Sequence, residues 1–156
     1  MSEDLKDKVR IINPTYNKIR VKRLAKGAIL PKKARKSDAG FDLYSTANVT
    51  IPARSRALIP TNIAMEIPEG YCGFVCGRSG NTIKRGLVAQ LGIIDSGYRN
   101  GIGIMAFNET DEPITVEAKE RAAQILIIRV PNFELVEADE LSDSERGLNG
   151  FGSSGQ

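Results

Sequence analysis

Short apolar segments, broken at nearly every boundary by proline or glycine, are the feature that most constrains the fold of this chain. Each segment either alternates apolar and polar residues or is rich in β-branched residues, as strands are. The segments span residues 9–13, 18–24, 41–45, 48–53, 57–67, 71–77, 87–95, 101–107, 114–118 and 122–130. So many evenly spaced strands without intervening long helices predict an all-β sandwich or barrel.

One segment departs from this pattern. Ile83 and Leu87 are four residues apart in RSGNTIKRGL, and this spacing predicts one short helix near residues 80–86. The 156 residues are enough for one domain with a substantial core, and leave little room for a second.

The absence of histidine limits the chemistry of this chain. It excludes Ser-His-Asp and Cys-His nucleophile systems, histidine metal sites and the usual general base near neutral pH. Proton transfer in an enzyme of this sequence would fall to Asp, Glu, Lys, Tyr or Cys. Cys72 and Cys76 lie in one predicted strand, where a disulfide between them is disfavoured, so we expect two small buried thiols.

Hydropathy and charge bear on whether the chain contacts a membrane or a nucleic acid. No apolar run approaches the roughly 18 residues of a membrane span, and the N-terminus lacks the apolar core of a signal peptide, so we expect a cytoplasmic protein without membrane contacts. Residues 1–36 carry twelve Lys or Arg against three acids, which is compatible with nucleic-acid binding. These basic residues alternate with Ile19 and Val21 like the solvated face of a strand, so we expect no nucleic-acid partner.

Two stretches combine glycines with charged side chains. In SDAGFDLYS, Asp42 follows a glycine at the start of a strand, where its carboxylate can reach a metal or the waters of a metal. In GRSGNTIKRG, the Arg78 guanidinium, the Ser79 hydroxyl and the backbone amides of the turn resemble a phosphate-binding arrangement. An Asx turn at Asp42 and a solvated turn at Arg78 are the structural alternatives.

A third stretch, LGIIDSGYRNG, places Asp95 after three mostly apolar residues. We expect a partly buried carboxylate at the end of a buried strand, able to orient or deprotonate a water. Tyr98 offers a flat face for a base or a sugar. The alternative is a hairpin turn that Asp95 caps.

A fourth stretch, RAAQILIIRV, puts the amide of Gln124 in an apolar strand, where it needs hydrogen-bond partners. The closing RGLNGFGSSGQ offers Arg146, Ser153 and Ser154 for phosphate and Phe151 for stacking on a base. It is not a Walker A loop, because no lysine follows the glycines.

Five stretches in fixed order closely resemble the five signature motifs of the trimeric dUTPases. They are AGFDL, GRSG, GIIDSGY, RAAQI and RGLNGFGSSG, and they run from about Asp38 to Gly155 in a style most like bacterial or phage members. The resemblance implies a jelly-roll-like β fold and a homotrimer with active sites between subunits. It also implies Mg²⁺-dependent hydrolysis of dUTP to dUMP and pyrophosphate.

The same resemblance assigns roles to individual residues. Asp95 matches the acid that activates the attacking water, Tyr98 the aromatic under the deoxyribose, and Asp42 the acid that holds waters of the bound Mg²⁺. The phosphate ligands are matched by Arg78, Ser79, Gly80 and Gln124.

The tail completes the set of matches. Arg146 corresponds to the arginine that clamps the terminal phosphate, and Phe151 to the aromatic that covers uracil. Gly152, Ser153 and Ser154 correspond to residues that close over the phosphates.

We therefore expect a single β domain over residues 1–145 and a flexible glycine-rich lid over residues 146–156. Two other functions stay open on the sequence. One is a dCTP deaminase, or a bifunctional deaminase and dUTPase, of the same fold. The other is a non-enzymatic regulatory or nucleic-acid-binding β domain that uses the basic N-terminal third.

Overall fold

The structure, a computed structural model, describes residues 18–145, 147 and 148. Eleven strands and one short helix form within these residues. They are β1 (Arg20–Arg23), β2 (Phe41–Tyr44), β3 (Val49–Ile51), β4 (Arg56–Pro60), β5 (Ile63–Glu66), β6 (Tyr71–Cys76), α1 (Ser79–Arg85), β7 (Leu87–Ala89), β8 (Gly92–Ile94), β9 (Gly103–Asn108), β10 (Ile114–Val116) and β11 (Arg121–Arg129). The predicted all-β fold with one short helix is confirmed, and the described part of the chain contains no helix long and apolar enough to cross a membrane.

Two of the predicted strands each divide into two. Residues 57–67 contain β4 and β5, which are separated at Asn62, where a φ of 50° breaks the extended backbone. Residues 87–95 contain β7 and β8, which belong to different sheets. The strand predicted at residues 9–13 lies outside the described residues.

The strands form four antiparallel sheets. The order is β2-β11-β6-β8 in the largest sheet and β4-β9-β7 in the second, with the pairs β1-β5 and β10-β3 beside them. The nine-residue β11 is central, because it pairs with β2 on one side and with β6 on the other. The described strands thus surround one core as an open sandwich and do not close into a continuous barrel.

A single apolar core joins all four sheets. Its largest fully buried side chains include Leu43 of β2, Ile125 of β11, Ile59 of β4 and Ile104 of β9. Alternation is visible along β9, where Ile104 is buried and its neighbour Met105 is 46% exposed. The period-2 pattern of the sequence therefore places one face of each major strand in the core.

The core leaves no room beside Gly73 of β6, so we expect Gly73→Ala to destabilise the fold. An added Cβ would lie 2.7 Å from Cδ1 of Ile125 and 2.8 Å from Cδ1 of Ile67. Overpacking of this kind costs about 1–3 kcal/mol, measured here as the free energy of unfolding in urea. Gly92→Ala on the neighbouring β8 is the control, because its Cβ would meet Val75 at an ordinary 3.5 Å. Equal stability of the two variants would contradict this packing.

Candidate active site

Three polar side chains line up across the largest sheet because of its register. Gln124 of β11 is paired with Asp42 of β2 on one side and with Cys76 of β6 on the other. β6 ends at Cys76, and the chain then runs through Gly77 and Arg78 into α1. This register brings the AGFDL, GRSG and RAAQI motifs together beside the end of β6.

Gln124 is fixed by a backbone partner and by a close approach of β2. Its Nε2 donates to the carbonyl oxygen of Gly77 at 2.9 Å, which supplies the partner that a half-buried amide needs. A Cβ on Gly40 would clash with Oε1 of Gln124, so a larger residue at position 40 would force the Gln124 side chain to shift. Burial raises the pKa of the adjacent Cys76 thiol, and a hydrogen bond with Gln124 partly offsets that rise.

Asp42 and two arginines form a partly buried charge cluster. Nε of Arg78 lies 3.0 Å from Oδ1 of Asp42, and Nη1 of Arg121 lies 3.5 Å from Oδ2. The Asp42 side chain is 13% exposed, and the two arginines give its partly buried charge nearby counter-charges. Burial, followed by the charge of Asp42, raises the pKa of the neighbouring Tyr44 hydroxyl, whereas Arg121 and Arg78 lower it.

An open, mostly polar cleft of about 340 Å³ lies over this cluster. Besides Asp42, Arg78 and Gln124, it is lined by Ser79 and Gly80 at the start of α1, together with Ala34 and residues 38–40. The predicted members of the first, second and fourth motifs therefore share one cleft in a single chain. A guanidinium, a hydroxyl and an amide facing one cleft suit a phosphate group.

Asp95 lies elsewhere, at the end of β8. β8 pairs with β6 so that Ile94 faces Gly73, which places Asp95 near Cys72, at the opposite end of β6 from Arg78. Cys72 and Cys76 are about 13 Å apart along the strand, given the usual rise per residue. The described residues of one chain thus do not bring Asp95 to the cleft lined by Arg78.

The expectation of a partly buried Asp95 after a buried strand is wrong for the single chain. Asp95 is exposed, and Ile93 in the middle of β8 is 52% exposed. β8 pairs with β6 alone in its sheet, and no other described residues bury the face of β8 that carries Ile93. An apolar strand sequence predicts burial, but burial also depends on which faces of the strand other elements cover.

Tyr98 lies in the turn after Asp95. Its backbone amide donates to the carbonyl oxygen of Asp95 at 3.0 Å, and its hydroxyl donates to the carbonyl oxygen of Gly101 at the same distance. The residue is 39% exposed, so part of its surface stays available for contact. Asp95 and Tyr98 are therefore held together by the turn itself.

The cysteine prediction holds for one thiol and in part for the other. Cys72 is buried, Cys76 is half-buried, and both are free thiols.

The structure also adds two residues to the site that the sequence does not predict. Arg121 lies beside Asp42. Asn81 lies in α1, and its side-chain amide nitrogen donates to the carbonyl oxygens of Arg121 and Ala122. In the sequence, the position of Arg121 at the start of the RAAQI stretch and the polar Asn81 inside a short helix are the features that could have indicated these two residues.

The predicted contacts from the tail lie outside the described residues. They are Arg146, Phe151, Gly152, Ser153 and Ser154.

The metal-ligating side chains among the described residues favour a cation that binds together with the substrate over one that protein ligands alone hold. Among the described residues, no three His, Cys, Asp or Glu side chains come together. Mg²⁺ is commonly bound through one or two carboxylates plus substrate phosphates and waters. Asp42 fits that role, because a carboxylate has about four acceptor positions and the two arginines do not use all of them.

Comparison with known proteins gives one consistent result. A family model described as dUTPase matches residues 26–155. The deoxyuridine 5'-triphosphate nucleotidohydrolase of Nautilia profundicola is 40% identical over 141 residues, covering 89% of this chain and 99% of that protein. The protein of the same name from Oryza sativa subsp. japonica is 38% identical over 137 residues, 88% of this chain and 80% of that one.

Solved structures agree with the sequence relatives. The dUTPase of Staphylococcus bacteriophage 80alpha with dUpNHpp matches with a TM-score of 0.86 and 35% identity, covering 90% of this chain and 99% of that one. A mutant dUTPase from phage phi11 of S. aureus, described as coordinating a structural Mg(II) ion, matches with a TM-score of 0.75 and 29% identity, covering 80% and 98%.

The charge cluster predicts a marked difference between two aspartates. We expect Asp42→Asn to lower the free energy of unfolding by about 1–3 kcal/mol, because two arginines lose a partly buried counter-charge. Asp111→Asn is the matched control, since its partner Arg54 is 63% exposed and solvent screening weakens ion pairs at the surface. Urea denaturation of both variants measures the difference, and equal losses would contradict the burial of the Asp42 cluster.

Proposed function

This chain belongs to the dUTPase family and is a dUTP diphosphatase, and on that premise we propose that it converts dUTP to dUMP and pyrophosphate at sites built from more than one subunit. The observation that carries the proposal is the cleft in which Arg78, Asp42 and Gln124 converge, set apart from Asp95 on the same sheet. Such an activity would limit uracil in DNA and supply dUMP for dTTP synthesis.

In the proposed complex the cleft binds the triphosphate. Arg78 offers its guanidinium, Ser79 its hydroxyl, Gly80 an unobstructed backbone and Gln124 its amide. Among the described residues, apart from its chain neighbours and the backbone of α1, no atom lies within 4 Å of a Cβ position on Gly80, so a phosphate has space to approach there. These groups would spread the negative charge of the triphosphate, an effect that increases as charge develops in the transition state.

Asp42 would turn from Arg78 toward waters around the cation that accompanies the triphosphate. When bound, Mg²⁺ would neutralise phosphate charge and polarise the bond to the leaving pyrophosphate. The release of Arg78 from Asp42 on substrate binding would leave its guanidinium free for a phosphate. Arg121 would keep one oxygen of Asp42 in place during that exchange.

Asp95 would act as the general base. Its carboxylate accepts a proton from a water, the water oxygen bonds to the α-phosphorus, and the bond from that phosphorus to the bridging oxygen of pyrophosphate breaks. A carboxylate base is consistent with a sequence that has no histidine. Tyr98, held in the same turn, would pack its exposed ring face under the deoxyribose and disfavour a 2′-hydroxyl.

A homotrimer is part of the proposal, because the two halves of the site are apart in one chain. Exposed apolar residues support the burial of additional surface in an assembly: Ile93 is 52% exposed, Phe133 78% and Leu135 96%. Contact with a neighbouring subunit would bring Asp95 of one chain to the phosphate cleft of another and reduce its exposure.

The tail is proposed as a lid that closes over the bound nucleotide. Arg146 would clamp the terminal phosphate, Phe151 would cover uracil, and Gly152, Ser153 and Ser154 would surround the phosphates. The basis is the match of the tail to the fifth family motif, within the family match over residues 26–155.

The direct test is pyrophosphate release from dUTP, dCTP, dTTP and UTP, each with and without Mg²⁺. We expect dUTP to be hydrolysed faster than the other three, and hydrolysis to fall when Mg²⁺ is removed. Ammonia release from dCTP would instead favour the deaminase. Salt-sensitive DNA binding without pyrophosphate release would favour a nucleic-acid-binding domain.

Mixed assemblies test whether the site is shared. Asp95→Asn should lower kcat by about 10²–10⁴-fold because the base is lost, while an unreactive dUTP analogue still binds. Arg78→Ala should be inactive for a different reason. When the two variants are refolded together, about one site in four should combine Asp95 from one chain with Arg78 from another and regain turnover.

Each variant refolded alone is the control for that mixture. A mixture that forms mixed assemblies by mass spectrometry yet stays as inactive as its components would place the whole site in one chain.

A further inference from the structure

We propose that Asn81 is a positioning residue of the phosphate cleft, which fixes the start of α1 against β11 and thereby sets where Arg78 meets Asp42. This inference rests on the proposed function, since it concerns the same cleft. Asn81 itself does not line that cleft.

The largest sheet has a gap beside the start of β11. β6 ends at Cys76, opposite Gln124, so the earlier residues of β11 have no strand partner on that side among the described residues. On the other side the pairing with β2 is irregular between Arg121 and Ala123. Carbonyl groups at such a bulge lose ladder partners and need donors from elsewhere.

Asn81 supplies those donors. Its Nδ2 lies 3.1 Å from the carbonyl oxygen of Arg121 and 3.2 Å from that of Ala122. An amide nitrogen carries two hydrogens, so one side chain can satisfy both carbonyls. Asn81 thus takes the place of the strand that ends at Cys76.

Burial supports the same role. Asn81 is 8% exposed and is the one buried residue of α1, whereas Thr82, Ile83 and Lys84 are exposed. A buried polar side chain is unfavourable unless its hydrogen bonds are made, and an apolar residue here would leave two carbonyls unpaired.

Asn81 also holds the backbone of Arg78 in place. The backbone amide of Asn81 donates to the carbonyl oxygen of Arg78 at 3.0 Å, and Arg78 reaches Asp42 with its side chain. A continuous path of hydrogen bonds and an ion pair therefore runs from β11 through Asn81 and Arg78 to β2. The other end of α1 is tied separately by Arg85, which contacts Glu120 and donates to the carbonyl oxygen of Thr115.

The path predicts a loss confined to phosphate binding. We expect Asn81→Ala to raise the dissociation constant of an unreactive dUTP analogue about ten-fold, the effect of losing one to two net hydrogen bonds. Binding of deoxyuridine, which lacks phosphate, should be unchanged in an NMR titration. Lys84→Ala, on an exposed position of the same helix, should match the wild type for both ligands.

Asn81→Ser retains a single, shorter donor and should give an intermediate loss, which keeps the test available if Asn81→Ala unfolds. Wild-type affinity for the dUTP analogue in the serine and alanine variants, or equal weakening of both ligands, would overturn the positioning role. A wild-type protein that releases no pyrophosphate from dUTP would overturn the proposed function instead, so the two failures are distinguishable.

Discussion

The ion pair between Asp42 and Arg78 is the interaction on which the arrangement of the cleft depends. It joins β2 to the segment that leaves β6, and it holds a carboxylate that is almost removed from water. Such a charge is tolerated only with close partners, which Arg78 and Arg121 provide. In the proposed reaction Arg78 leaves Asp42 to bind the triphosphate, and Asp42 binds waters of the accompanying cation. Before substrate binds, their ion pair holds both side chains in the cleft.

The register of β11 is the second constraint. A slip of one residue would turn Gln124 to the other face of the sheet and separate it from Asp42 and the carbonyl of Gly77. Gly40 reinforces this register, because its missing side chain is what lets Gln124 lie against β2. Backbone geometry therefore positions Gln124 beside Asp42 and Gly77.

Much of the fold and about half of the site arrangement followed from local sequence. Strand periodicity located the described strands, and the five motifs identified Asp42, Arg78 and Gln124, which the structure brings together. The sequence did not separate β4 from β5, because a single left-handed residue at Asn62 divides them. It also misjudged Asp95, since the apolar strand β8 that precedes it is not fully buried and Ile93 in its middle is 52% exposed.

The sequence by itself determined the all-β class, the short helix and a chemistry without histidine, because these depend on composition and on spacing between near neighbours. Only the tertiary structure decided which residues meet. Arg121 reaches Asp42 across 79 positions of chain, and Asn81 reaches β11 across about 40. Such contacts depend on the order of strands in the sheet and on where β6 ends, and neither is encoded in a local pattern.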